Sequence, residues 1–287
     1  LQILERYDLA AASEADRSHL VVEALRRGFH DRARYMGDSD FVTVPEIRLR
    51  SREYADQRAA GIDPTRATSS AELAAPPAAR DGENTTHFSI VDADGNSVAA
   101  TLSVNGPFGA ATVAGASGVL LNNTMNDFAL TPEASNLYGL AGSRANLIAP
   151  GKRPLSSMSP SFVEDKRGVQ VLGTPGGSRI ISMVVLGALE FAAGKPPRDW
   201  VTRPRFHHQY LPDVIQFEPG AIDAMTQEDL RALGHTLSEQ AQTYGNMQAV
   251  QWHKRTGQVD AASDPRGVGG AEVRAIAPMN HQDAKLP

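Results

Sequence analysis

The stretch Asn84-Thr85-Thr86-His87-Phe88-Ser89 decides how this chain is read, because a Pro- and Ala-rich segment runs there into a β-strand. A cut before Thr85 would make that threonine a new N-terminus. A threonine hydroxyl is a weak nucleophile at neutral pH unless a base takes its proton. A free α-amino group on the same residue, with a pKa of about 8, can be that base. The plainer alternative is that two β-branched residues simply open a strand.

Working outward, residues 86–91 and 97–104 alternate apolar and polar side chains around Ala93-Asp94-Gly95, which predicts a β-hairpin. If Asp92 faces Asn96, Ser103 lies opposite Thr85, and Asn105 points to the same face two residues on. A hydroxyl across the ladder could orient the threonine; an ordinary Thr–Ser cross-strand pair is the other reading. Upstream, residues 62–84 carry three prolines and many alanines with no apolar period. They read as a flexible, exposed linker. Before that, Ser13 caps a helix running to about Met36, with Leu20, Ala24, Leu25 and Phe29 at helical spacing. A second helix is expected over residues 47–60.

Downstream, residues 115–123 read as a Gly-punctuated strand and residues 169–172 as a short strand. Residues 180–193 read as a buried helix, residues 226–233 as a helix, and residues 248–253 with 257–261 as a second hairpin. Helices, then mostly strands, one central helix and more strands imply a layered α+β core.

The 287 residues allow one large domain or two small ones, and a net charge of −5 argues against nucleic acid as a partner. The chain contains no cysteine, which excludes disulfides, thiolate metal sites and cysteine nucleophiles. The longest apolar run, residues 180–193, is too short and too interrupted to span a bilayer. The chain opens Leu-Gln-Ile-Leu, which reads as the middle of a helix, so the parent protein is expected to extend upstream.

Four segments could carry chemistry. Gly173-Thr174-Pro175-Gly176-Gly177-Ser178 between a strand and a helix could aim amides at an anion or at a developing oxyanion, or could be a tight turn. It lacks the lysine of a P-loop and the spacing of a dinucleotide fingerprint. Ser156-Ser157 could bind a carboxylate or form a turn. Residues 122–127 could hold an ammonium through Asp127 or form an Asx-rich turn. Adjacent His207 and His208 would face apart, so a shared metal is not expected, and no metal-binding spacing such as HExxH occurs. Neither GxSxG nor SxxK is present.

NTTHFSIVDADGNSVA (84–99), FGAATVAGASGVLLNN (108–123), GKRPLSSMSP (151–160), GTPGGSRII (173–181), PRFHHQ (204–209) and ASDPR (262–266) together resemble the γ-glutamyltranspeptidase family, in order and spacing, over nearly the whole chain. The resemblance implies an N-terminal-nucleophile hydrolase, a four-layer αββα sandwich of the α+β class, here partial because the upstream part of the large subunit is missing. It implies a precursor cut between Asn84 and Thr85. Residues 1–84 would be the tail of a large subunit and residues 85–287 the small one, the two forming one domain as a heterodimer.

By the same resemblance Thr85 is the nucleophile, Ser103 its assistant, and Gly176 and Gly177 the oxyanion hole. Asn105 and Asp127 would hold the substrate α-amino group, Ser156 and Ser157 its α-carboxylate, and Tyr138 would sit on a lid loop. Thr124 stands where the family usually has Gln or Glu near the substrate ammonium, and losing that partner would weaken binding about tenfold or more. The family's carboxylate-binding arginine comes from the upstream part.

The implied activity is γ-glutamyl transfer or hydrolysis on glutathione or related amides, with an amino-acid or peptide acceptor, no metal or organic cofactor, and a periplasmic or secreted location. The alternatives are a related acylase acting on glutaryl β-lactam side chains or poly-γ-glutamate, and an inactive truncated remnant. The segment alone is expected to be inactive.

Overall fold

The computed structural model of the chain describes residues 1–73, 85–132, 134–136 and 138–275. Leu1 is not inside a helix: only a 3₁₀ turn, Leu4–Arg6, forms, and Tyr7 ends it in an extended conformation. Helix α1, Glu14–Tyr35, begins as the sequence predicts. The Ser13 hydroxyl accepts the Asp16 amide, acidic residues fill the first turn and Arg32 and Arg34 the last, which suits the helix dipole. Its Leu20, Val21, Val22, Leu25 and Phe29 are buried.

The helix expected over residues 47–60 is broken in two, α2 Glu46–Leu49 and α3 Arg52–Ala60. Ser51 is the reason. Its hydroxyl accepts the Tyr54 amide at 3.2 Å, so it caps a new helix and does not continue the old one.

The exposed linker expected from residue 62 is packed over residues 62–73. Buried Glu23 accepts from the Thr68 amide and hydroxyl at 3.1 and 2.6 Å and also pairs with Arg26 and Arg27. Ser70, fully buried, takes a hydrogen bond from Arg26, and its amide donates to Asp213 at 2.7 Å. Polar anchoring, invisible to an apolar-period test, holds this segment down. Residues 74–84 of that linker lie outside the described residues.

Strands β1 Thr85–Val91 and β2 Ser97–Ser103 pair antiparallel in the expected register, Thr85 facing Ser103. The strand expected over residues 115–123 does not form. Gly115 and Gly118 take left-handed φ values of 50° and 72°, leaving a 3₁₀ turn at Gly115–Ser117 and a single bridge, Val113 to Leu120. Beyond it come β3 Ser161–Glu164 and β4 Gly168–Gly173, then α4 Arg179–Ala192 and α5 Pro197–Thr202. Next are β5 Phe206–His207, β6 Ile215–Phe217, α6 Ala224–Ala232, β7 Leu237–Glu239, β8 Gln248–His253 and β9 Val259–Ser263.

The four-stranded antiparallel sheet runs β3-β4-β8-β9, and a smaller sheet runs β5-β6-β7. Strand β4 is buried on both faces. On one side Leu172 packs with Met183, Phe191, Trp200, Val201 and Met247 beneath α4 and α5. On the other side lies the β1–β2 hairpin, tied by Ser89 Oγ donating to the Gln248 carbonyl at 3.3 Å. Helix, sheet and sheet are therefore stacked in layers.

Helix α4 is apolar all round because its second face, through Leu186 and Ile181, joins α1 and the small sheet in the other core cluster. The outer face of the hairpin presents Phe88, Ile90, Val98 and Leu102, all at least 42% exposed. Among the described residues no helical layer covers it, so the αββα arrangement is partial. No helix of the described residues is long and apolar enough to cross a membrane.

Candidate active site

The hairpin register puts Thr85 at the head of β1, where its hydroxyl donates to Ser103 Oγ at 2.9 Å. Two residues on, His87 fixes how deep this end of the hairpin sits. Its ring bonds Thr101 Oγ1 at 2.7 Å and Ser89 Oγ at 3.0 Å, and it rests directly over Gly173. A Cβ at Gly173 would stand 2.3 Å from the ring, so only glycine permits this approach. The first glycine of the loop thus seats the strand that carries Thr85. Burial pushes the His87 ring down to about 4, so it stays neutral.

Around Thr85 lies a cleft of about 70 Å³ lined by Ser103, Asn105, Thr124, Asp127, Tyr138, Ser156, Ser157, Met158, Gly177 and Ile180. Nine of the residues singled out from the sequence, counting Thr85, are therefore brought together. Asn84 lies outside the described residues. Gly176 does not line the cleft: with φ at 139° it packs inward, where a Cβ would come 2.5 Å from Met183 Cε. Gly177, φ 54°, forms the wall instead.

Asn105 adopts a left-handed φ of 72°, with its amide donating to Ser103 Oγ at 2.8 Å. Its side chain is held on both ends, by Tyr138 Oη donating to Oδ1 and by its own Nδ2 donating to the Asn123 carbonyl at 3.2 Å. Tyr138, expected above the pocket, is a buried wall with its ring in the core cluster. Burial pushes its hydroxyl up to about 12.

Thr124 and Asp127 share a 3₁₀ turn, and Asn146 Nδ2 secures that turn by donating to the Asp127 carbonyl at 2.7 Å. Burial pushes the Asp127 carboxyl up to about 6, against the opposing charge of Arg32. The Ser156-Ser157 segment is clamped from the first part of the chain. Asp38 accepts from the Arg153 amide and Nε at 2.8 and 2.9 Å, and Arg153 holds that carboxyl well below the usual range.

Arg32 and His87 escaped the sequence reading. Arg32 Nη2 donates to Ser157 Oγ at 3.1 Å. The signal for it was a cation at helical spacing from Leu25 and Phe29, on the face of α1 that those two bury. His207 and His208 do face apart, His207 to Ser182 Oγ at 2.6 Å and His208 to Asp213 at 3.2 Å. One grouping of metal-type ligands occurs among the described residues, His19, Glu23 and His235. Its atoms are engaged with each other and with Arg26 and Arg27, the two histidines bonding at 2.8 Å.

A hydroxyl pair at a strand head, a buried carboxylate, paired serines and an amide wall could hold a zwitterion and attack a carbonyl beside it. A family model described as Gamma-glutamyltranspeptidase matches residues 1–274. The glutathione hydrolase proenzyme of Pseudomonas aeruginosa is 44% identical over 256 residues, 88% of this chain and 45% of the relative. That of Escherichia coli is 41% identical over 275 residues, 93% of this chain and 47% of the relative. The chain thus spans about half the length of these relatives. The solved γ-glutamyltranspeptidase of Pseudomonas nitroreducens, complexed with L-DON, superposes with a TM-score of 0.61 and 42% identity. It covers 66% of this chain and 100% of the matched chain.

Proposed function

This chain belongs to the γ-glutamyltranspeptidase family, and we propose that it is the nucleophile-bearing part of an enzyme that cleaves glutathione and related γ-glutamyl amides. The observation that carries this reading is the Thr85 hydroxyl, bonded to Ser103 at the wall of a cleft that also holds Asp127, Ser157 and Gly177. Hydrolysis of the bond between Asn84 and Thr85, which consumes one water and leaves Asn84 with a carboxylate, frees the Thr85 amine. That amine takes the Oγ proton, Oγ attacks the γ-carbonyl, and the backbone N–H of Gly177 on the cleft wall stabilises the oxyanion. The proton passes to the departing amine, leaving a γ-glutamyl ester. Water resolves the ester to glutamate, or an amino-acid or peptide amine resolves it by transfer.

Asp127, with Asn105, receives the substrate ammonium, and Ser156 and Ser157 receive its carboxylate. The two pieces remain together as a heterodimer from one precursor, in the periplasm or outside the cell. The test is Thr85→Ala in the full-length protein. Precursor cleavage and γ-glutamyl release should both stop, and persistence of both refutes the assignment.

A second reading, an acylase taking glutaryl side chains, is favoured by Thr124, a short neutral side chain on the cleft wall. Comparing γ-glutamyl and glutaryl anilides separates the two, because only the former carries an α-amino group.

A further inference from the structure

We propose that Arg32 is a positioning residue for substrate recognition, acting from behind the cleft wall on Ser157 and Asp127 together. The inference rests on the γ-glutamyl reading above. Arg32 is absent from the cleft lining, yet it donates to Ser157 and shares a void with Asp127, the two groups expected to hold the two ends of the substrate.

Guanidinium has donors only. Where Arg32 Nη2 donates to Ser157 Oγ at 3.1 Å, that oxygen is the acceptor, and its own hydrogen must point elsewhere. Among the described residues no side chain or carbonyl takes that hydrogen, and Ser157 lines the cleft. The arginine therefore leaves the serine as a donor facing the cleft, the polarity a carboxylate requires.

Arg32 also borders, with Asp127, a small void between α1 and residues 127–146. Among the described residues it makes no ion pair within 4 Å, and Asp127 is the carboxylate whose charge it feels. It acts on Asp127, whose carboxyl burial has already pushed up to about 6. Among the described residues, the other titratable groups facing Asp127 are the Tyr138 hydroxyl, pushed up to about 12 and neutral throughout the working range, and the Thr85 amine once freed. Without Arg32 the Asp127 carboxyl rises further and protonates nearer neutrality, and an uncharged acid is a poor partner for an ammonium.

The experiment compares wild type, Arg32→Met and Arg32→Lys in the full-length, matured protein, using γ-glutamyl and glutaryl anilides across pH. With the γ-glutamyl anilide, Arg32→Met should raise KM about tenfold with a smaller change in kcat. The acid limb of its kcat/KM profile should move up by about one pH unit. Arg32→Lys should restore the limb, since it keeps the charge. With the glutaryl anilide, which has no ammonium, the limb should not move. Should Arg32→Met fail to mature, Arg32→Gln takes its place with the same expectation. Active wild type alongside a neutral variant with unchanged KM and unchanged limb overturns the role of Arg32 alone. Wild type that releases no γ-glutamyl group overturns both this and the reading beneath it.

Discussion

Gly173→Ala tests how the fold aims the nucleophile. The added Cβ would stand 2.3 Å from His87 Cε1 and 2.4 Å from its Nδ1. Ordinary contact needs roughly 3.4 Å or more, so the ring, or the hairpin end carrying it, must retreat by about 1 Å. The ring cannot swing freely, because it is held by Thr101 and Ser89 at 2.7 and 3.0 Å. Overpacking of this kind costs about 1–3 kcal/mol, and a 1 Å misplacement of a reacting group costs about 10²-fold in rate. The variant should therefore lose about 2 kcal/mol in denaturant titration, and its release of the Thr85 N-terminus, followed by mass spectrometry, should slow about a hundredfold.

His87→Ala removes the obstacle while creating a cavity of its own. The double variant should accordingly be more stable than the two single losses added together, by about 1 kcal/mol or more. Simple additivity, or Gly173→Ala with wild-type stability and wild-type maturation, would refute the idea that this contact seats the nucleophile.

Ser103→Ala should slow γ-glutamyl release about ten- to hundredfold by removing the partner of the Thr85 hydroxyl, whereas Ser103→Thr should retain most activity; equal rates in both would contradict the pairing. Asp127→Asn should abolish the preference for γ-glutamyl over glutaryl anilide, read as the ratio of their kcat/KM values. The same variant should be more stable than wild type near pH 8, by about 1–2 kcal/mol after allowing for partial exposure, because the raised carboxyl makes its charged form a burden on the fold. That burden is absent below about pH 4, grows as pH rises towards 6 and is complete above it, so the gain should vanish in acid. Asp264→Ala should unfold the protein readily, losing about 3–5 kcal/mol in urea titration, because it strands buried Arg205 without its partner.

Much of this was legible in the sequence, for reasons that differ by element. The β1–β2 register followed from one turn and strict alternation, and it delivered Ser103 opposite Thr85 without any tertiary knowledge. Helix α1 was equally local, with a serine cap and an apolar stripe. Local rules failed where a cap, a pair of left-handed glycines or a distant carboxylate decided. Ser51 split a helix by capping, two left-handed glycines dissolved a strand at residues 115–123, and Glu23 with Asp213 pinned residues 62–73.

In the site, Asp127 and the paired serines were read from family likeness and short motifs, but nothing local says that they meet Thr85. That depends on α4, the Asn146 amide and the Asp38 clamp. Arg32 acts through Ser157 and His87 through its seat over Gly173, contacts with residues distant in sequence that no spacing rule encodes.

The clasp between Asp38 and Arg153, together with the Arg26, Ser70 and Asp213 contacts, spans the bond before Thr85 from both sides. A nick there would leave the halves interlocked through α1, α6 and the shared interior. On a sizing column the cut and uncut forms would elute together, and only a detergent gel would separate them. Maturation would hydrolyse one peptide bond, with one water added, while the particle kept its outline.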